Sequence, residues 1–275
     1  MHRHKFTHSI FGAALFFLCL CLGLPSLGKT SAPLREQLPG INIYIIQAVN
    51  KMPSGGGYAT SQEAFKRLRN EAIVWNEATQ RLILRPERAT PSFCSEACYL
   101  VLLQALMAWE KHFPQYRLPS SVWQKMAVSD PQHDGEGPWG CVNANGPGLA
   151  KWISDLGAGI NFSQPQSAKP GDFLKIFWTE EIGAKEFGHL VVFIAYGRKP
   201  EDGTLCIRFW SSNKDRGYGI NTVPISSIKR MIFTRITNPV AFRKIETLPE
   251  KDQWLTDLLK IRLTPEEMNL KCRIH

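Results

Sequence analysis

Cys94 and His189 are the two residues of this chain whose types and surroundings suit covalent chemistry. Cys94 lies in the stretch TPSFCSEACYLVLLQALMAWEKH, ahead of a run apolar enough to be a buried helix, and His189 heads the run HLVVFIAYG. A cysteine attacks as its thiolate, and an ordinary thiol titrates near ~8.5. The start of a helix favours the charged form, because its first N–H groups are unpaired and the helix dipole is positive there. The same N–H groups can hold the oxyanion formed when a carbonyl is attacked. An imidazole beside the sulfur takes the thiol proton and later returns it to a leaving amine.

Local sequence separates this pair from its rivals. Thr90 before Pro91 is a good helix start, Ser92 is a second choice, and either puts Cys94 in the first turn. Cys98 shares the face of Cys94 one turn deeper, without helix-end N–H groups, and reads as a structural thiol. Beyond residue 28 the histidines are His112, His133, His189 and His275. His112 sits at the far end of the helix and His275 is terminal, so His133, in a turn-rich stretch over 129–148, is the rival base. A base usually needs a third group to orient it. Ser212 or Asn213 at the end of a neighbouring strand fits, although alternation alone does not fix register. Cys94 and Cys98 lack the CxxC or HxxxH context of a zinc site, so neither metal nor cofactor is expected.

The elements that must position these residues form an α+β pattern. Asn42 to Val49 is β-branched and reads as a short strand or buried segment. Ser61 opens a helical pattern that places Phe65, Leu68, Ile73 and Trp75 on one face. A small strand is predicted over Leu82–Leu84, then the central helix, apolar nearly all round and therefore buried. Short helices are predicted over Pro119–Ala127 and Leu149–Leu156. Strands then dominate, over Phe173–Trp178, His189–Tyr196, Leu205–Ser212, Ile220–Val223 and Lys229–Ile236. Residues 241–275 read as a helical tail. A buried helix followed by an antiparallel sheet is α+β organisation. Trp139, Trp178 and Trp210 are expected to be core residues.

The chain opens with a basic segment holding Arg3 and Lys5, an apolar run from Ile10 to Pro25, and small residues around Gly28. That order is a secretion signal over 1–28, with an uncleaved anchor as its alternative. Its removal takes two basic residues from a formal net charge of +9. A mildly basic exported protein suits anionic surfaces, whereas scattered basic residues and the absence of zinc-finger spacing argue against nucleic acid. No later segment is apolar enough to span a membrane. Five cysteines remain, Cys94, Cys98, Cys141, Cys206 and Cys272. An odd number suits one reserved nucleophile with up to two bridges, or five free thiols.

The ordered set of Cys94-Ser95, Pro170-Gly171-Asp172 and His189-Leu190-Val191 resembles the NlpC-type and CHAP-type papain-like cysteine peptidases of bacterial cell walls. Those families carry a D-C-S-G nucleophile motif, a P-G-D turn into a strand, and a histidine heading the next strand. Here Phe93 stands in the aspartate position and Glu96 in the glycine position. Gly56-Gly57-Tyr58 is similar to the family's Gly-rich turn, whose tyrosine hydroxyl helps bind the oxyanion. The resemblance covers roughly 55–215. It implies a papain-like core over 55–240, with its nucleophile helix packed on an antiparallel sheet, a 29–54 segment before it and the 241–275 tail behind it. It further implies a hydrolase that cleaves an amide in peptidoglycan peptides or a related substrate through an acyl-enzyme; the secretion signal predicts a periplasmic or extracellular location. Tyr58, Ser95, Asn143 and Asn145 are then the substrate or oxyanion candidates, though the loop holding the two asparagines has no counterpart in the family pattern. Acyl or amide transfer on the same pair, and an inactive wall-binding module, are the alternatives.

Overall fold

The computed structural model describes residues 40–129 and 132–274. The expected signal peptide, the chain up to residue 39 and His275 lie outside the described residues. Among the described residues no helix is long and apolar enough to cross a membrane.

The chain runs α1 (Asn42–Lys51), β1 (Gly55–Gly56), α2 (Gln62–Arg67), β2 (Ile73–Asn76), β3 (Arg81–Leu84), α3 (Cys94–His112), α4 (Ser120–Lys125), α5 (Gly137–Asn143) and α6 (Gly148–Leu156). It continues through β4 (Gly159–Phe162), β5 (Phe173–Phe177), β6 (Gly188–Arg198), β7 (Leu205–Asn213), β8 (Gly217–Pro224) and β9 (Arg230–Ile236), and closes with α7 (Gln253–Asp257) and α8 (Pro265–Cys272). Seven strands pair in the order β1-β8-β7-β6-β5-β9-β4, every neighbouring pair antiparallel. β2 and β3 form a separate hairpin. The fold is α+β.

α3 is the axis of the core. Its residues from Ser95 to Leu103 are all buried, and Ala105, Leu106 and Trp109 extend the same packing. The helix packs between α1 on one side and β6 and β7 on the other. Leu190, Val192 and Trp210 of the sheet join α3 in one apolar cluster. Val191, Phe193, Ile207 and Phe209 point to the opposite face, as strand alternation requires, and join Phe233 in a second cluster. A helix enclosed on two sides cannot slide or rotate without opening cavities, so the residues at its first turn are held firmly.

Two expected elements differ. Asn42 to Val49 is part of a helix and not a strand. Its buried residues are Tyr44, Ile45, Ala48 and Val49, the spacing of one helical face, and that face packs on α3. Packing has overridden the strand preference of its β-branched residues. Likewise Ile73 and Trp75 do not continue the helix from Ser61. α2 ends at Arg67, a π-helical turn spans Leu68–Ala72, and both residues lie on β2. The stretch over 129–148 contains the short helix α5, and β1 and β4 are further strands that the sequence pattern did not predict.

The Pro170-Gly171-Asp172 turn works as an anchor. The Asp172 side chain is 0% exposed. Its Oδ1 accepts from Asn42 Nδ2 (2.8 Å) and Arg235 Nε (2.9 Å), and its Oδ2 accepts from Lys169 N–H (2.7 Å) and Arg235 Nη2 (2.6 Å). One carboxylate thus ties α1, the start of β5 and β9 together. Gly171 has φ +90°, and a Cβ there would meet the Asn42 carbonyl at 2.5 Å, so the close approach of α1 requires glycine. Removing the carboxylate leaves a partly buried guanidinium unmatched. Asp172→Ala is expected to lower stability by about 3–5 kcal/mol, read from urea unfolding; a loss below about 1 kcal/mol would mean that the anchor is not structural.

Candidate active site

Phe93 is extended (φ −113°, ψ 174°), and α3 begins at the next residue, Cys94. The Phe93 N–H donates to Glu96 Oε2 (3.2 Å), and the Phe93 carbonyl accepts from the Ala97 N–H (3.1 Å). Neither expected cap, Thr90 or Ser92, is the N-cap; Phe93 holds that position and Glu96 reaches back to it. Cys94 is therefore the first helical residue. The N–H groups of Cys94, Ser95 and Glu96 lie in the turn that has no intrahelical acceptors.

A second segment closes over this turn. Tyr58 pairs with Ser92 in a parallel bridge, with Ala59 N–H donating to the Ser92 carbonyl (3.3 Å) and Ser92 N–H to the Gly57 carbonyl (3.4 Å). The glycines before Tyr58 hold positive φ, and a Cβ on Gly56 would run into Thr90. That tight turn sets Tyr58 beside Cys94, where each side chain acts on the ionisation of the other and both line one cleft. Burial first, then the adjacent sulfur's charge, pushes the Tyr58 hydroxyl up, so it remains a proton donor at any ordinary pH.

His189 is the second residue of β6 and pairs with Ile176 of β5. Its imidazole stands beside Cys94 and acts on the ionisation of the sulfur, and its ring meets Phe209 edge-on at 5.7 Å between centroids. Burial by itself pushes the Cys94 thiol up. The hydrogen bond and charge of His189, the Leu190 N–H and the charge of Lys175 together outweigh that, and the thiol comes down to about 7. Glu96 is fully buried in the same turn. Burial pushes its carboxyl up to about 8, against the Phe93 N–H bond, so near neutrality it is mostly uncharged and opposes the thiolate little.

The remaining candidates divide. The Ser95 hydroxyl donates to Asn143 Oδ1 (2.7 Å), and Asn143 Nδ2 donates to Asp134 Oδ1 (2.8 Å). Asn145 Nδ2 donates to the Gly183 carbonyl (3.2 Å). All three line the cleft in front of Cys94. Ser212 and Asn213 are engaged elsewhere. The Ser212 hydroxyl donates to the Ser92 carbonyl (2.7 Å), bracing the approach to α3, and Asn213 Nδ2 donates to carbonyls of its own hairpin, Ser211 (3.0 Å) and Gly219 (2.9 Å). Among the described residues the His189 ring meets Phe209, and neither Ser212 nor Asn213 hydrogen-bonds to it. His133 is exposed and bonded through its N–H to Glu136, and does not line the cleft.

All five cysteines from Cys94 onward are free, and Cys94 alone of them is not buried. The Cys98 sulfur donates to the Leu190 carbonyl (3.4 Å), and burial holds its thiol well above the ordinary value. Burial also pushes Cys141 and Cys272 up to about 12. Among the described residues no group of three or more His, Cys, Asp or Glu is placed to hold a metal ion.

The cleft, of about 390 Å³, is walled by Tyr58 and Phe93, by the α5–α6 connection and by the start of β6. Three charged residues in it were not singled out from the sequence. Lys175 Nζ donates to Glu186 Oε1 (2.6 Å), while Glu186 Oε2 accepts from the N–H groups of Gly146 (2.5 Å) and Gly183 (2.9 Å). Asp134 is the third. Phe187, beside them, is 61% exposed and offers an apolar rim. A larger groove of about 970 Å³ elsewhere contains neither Cys94 nor His189.

The thiol's titration is directly measurable. Alkylation of Cys94 by iodoacetamide, followed by peptide mapping, is expected to rise with pH around a midpoint of about 7. His189→Ala removes a hydrogen bond and a positive charge from the thiolate and should move that midpoint upward. A wild-type midpoint near the ordinary ~8.5, or no shift in the variant, contradicts this electrostatic picture. Comparison with protein-family models, with curated proteins and with solved structures found no match for this chain.

Proposed function

We propose that this protein is a thiol hydrolase of papain-like arrangement that cleaves a peptide or amide bond. The observation that carries the reading is the juxtaposition of Cys94 and His189 at a helix start, with Tyr58 beside the sulfur and a cleft in front of it. In this mechanism the Cys94 thiolate attacks the carbonyl carbon. The oxyanion is held by Tyr58 O–H, which turns to it from the sulfur, and by first-turn N–H groups. His189 passes its proton to the leaving amine, and a thioester remains on Cys94. Water, deprotonated by His189, attacks the thioester; the acid leaves and the starting pair is restored.

The resemblance to NlpC-type and CHAP-type peptidases supports peptidoglycan peptides as the substrate. The signal-like order of residues 1–28 supports a periplasmic or extracellular location, where such peptides occur. An inactive wall-binding module would leave a thiol lowered to about 7 beside an imidazole without a use. Transfer to an amine in place of water uses the same thioester, and product analysis with an added amine acceptor separates the two.

Hydrolysis of purified peptidoglycan, followed by chromatography of released fragments, is expected to vanish in Cys94→Ala. Tyr58→Phe keeps the ring and removes one oxyanion donor, so kcat should fall by about 10²-fold with KM nearly unchanged. Cleavage by Cys94→Ala at the wild-type rate would end the reading.

A further inference from the structure

Neither Ser212 nor Asn213 hydrogen-bonds to His189, and the cleft offers the reacting pair a different support, a fixed cation. Lys175 is the one lysine or arginine that lines the cleft among the described residues. It lies on β5, directly across from Leu190 of β6. Leu190 is itself fixed beside the nucleophile. Its N–H acts on the Cys94 sulfur, and its carbonyl accepts from Cys98 Sγ (3.4 Å) and Ser211 Oγ (2.8 Å). A Cβ on Gly188 would meet Lys175 Cε and Nζ, each at 2.9 Å. The ammonium therefore lies over the backbone that leads into His189.

A nearly buried carboxylate holds that ammonium in place. Lys175 Nζ donates to Glu186 Oε1 (2.6 Å), and the two side chains are 15% and 4% exposed. Glu186 Oε2 accepts from the N–H groups of Gly146 (2.5 Å) and Gly183 (2.9 Å). The carboxylate thus joins β5 to the α5–α6 connection across the cleft. An ammonium on a free four-carbon stem would wander, whereas one tied to a fixed carboxylate presents its charge from one place. Of the pair, Lys175 is the member whose charge favours the Cys94 thiolate. The other ionisable groups acting with the sulfur are Tyr58, Glu96, Cys98 and His189. Burial holds Tyr58 and Cys98 neutral, and Glu96 mostly so near neutrality. His189 and Lys175 are therefore the two groups that bring positive charge to the thiolate. His189 gives its proton to the leaving amine during acylation; Lys175 keeps its charge throughout.

We infer that Lys175, held by Glu186, is a positioning residue of this site: its fixed ammonium favours the Cys94 thiolate before attack and again on its release from the thioester. This rests on the hydrolase reading and adds a residue to it. The support expected from a polar group behind the imidazole is supplied here by a charge placed beside the sulfur. Lys175 acts through Cys94, and the reacting atoms remain those of Cys94, His189 and Tyr58.

The rate of Cys94 alkylation by iodoacetamide, followed across pH in full-length protein, tests this without a natural substrate. The thiolate displaces iodide and a thioether forms, so the rate reports the thiolate fraction. Lys175→Met removes the charge and keeps the chain length. Its rate at about pH 6 should fall by about three- to tenfold, while its rate on the alkaline plateau should match wild type. Lys175→Arg keeps the charge and should recover most of that loss. Lys175→Met leaves Glu186 nearly buried without its cation, so it is measured beside the double variant with Glu186→Gln, which removes both charges and should show the same loss. Unchanged profiles in both variants, with Cys94 labelled, overturn the inference and leave the hydrolase standing. A loss equal at every pH, or one that Lys175→Arg does not relieve, assigns Lys175 to packing alone and overturns the inference too. Peptidoglycan cleavage that survives Cys94→Ala overturns the hydrolase reading, and this inference with it.

Discussion

The contact between the Cys94 sulfur and the His189 imidazole is the interaction on which the rest of the site depends. Burying a thiol opposes its ionisation, and in this protein burial is the largest single influence on Cys94. It raises Cys98, Cys141 and Cys272, which lack such a partner, far above neutrality. Cys94 goes the other way because the His189 imidazole, the Leu190 N–H and the Lys175 charge act on the same atom. Cys94, Cys98, Cys141 and Cys272 therefore form an internal comparison: burial pushes all four thiols up, and what stands beside the sulfur decides the outcome.

Holding that contact requires two elements far apart in sequence to be rigid at their first residues. α3 supplies the thiol and is enclosed by α1 and the sheet. β6 supplies the imidazole and lies between β5 and β7. The loops that meet at the site are pinned by single polar residues. Asp172 joins α1 to the start of β5 and to β9, the Ser92 carbonyl takes the Ser212 hydroxyl, and Glu186 gathers Lys175, Gly146 and Gly183. Each is a buried or nearly buried polar group with specific partners, which is how a site can be fixed within the tolerance that covalent catalysis demands.

The parts legible in the sequence are those governed by local periodicity. The all-round apolar run of α3, the alternation of β5 to β9 and the turn before Tyr58 can all be read from neighbouring residues. What could not be read depends on distant partners. Asn42 to Val49 became a helix because α3 offered it a face. Phe93 became the N-cap because Glu96 reached back to its N–H. Ser212 and Asn213 were placed correctly at the end of β7, but their side chains turned to Ser92 and to the hairpin; alternation gives a face and not a partner. Asp134, Lys175 and Glu186 carry no local motif, and only the placement of 132–148 beside the β5–β6 connection makes them neighbours.

The most direct test of the account is whether a covalent acyl group can be trapped on Cys94 near neutrality. Brief exposure to p-nitrophenyl acetate, followed by intact-mass measurement and peptide mapping, reads this without any natural substrate. The thiolate attacks the ester, nitrophenolate leaves, and an acetyl thioester stays on the sulfur. The expected result is one acetyl group, on Cys94, lost almost entirely in His189→Ala. Acetylation confined to lysines, or equal labelling of Cys94 with and without the imidazole, would contradict it.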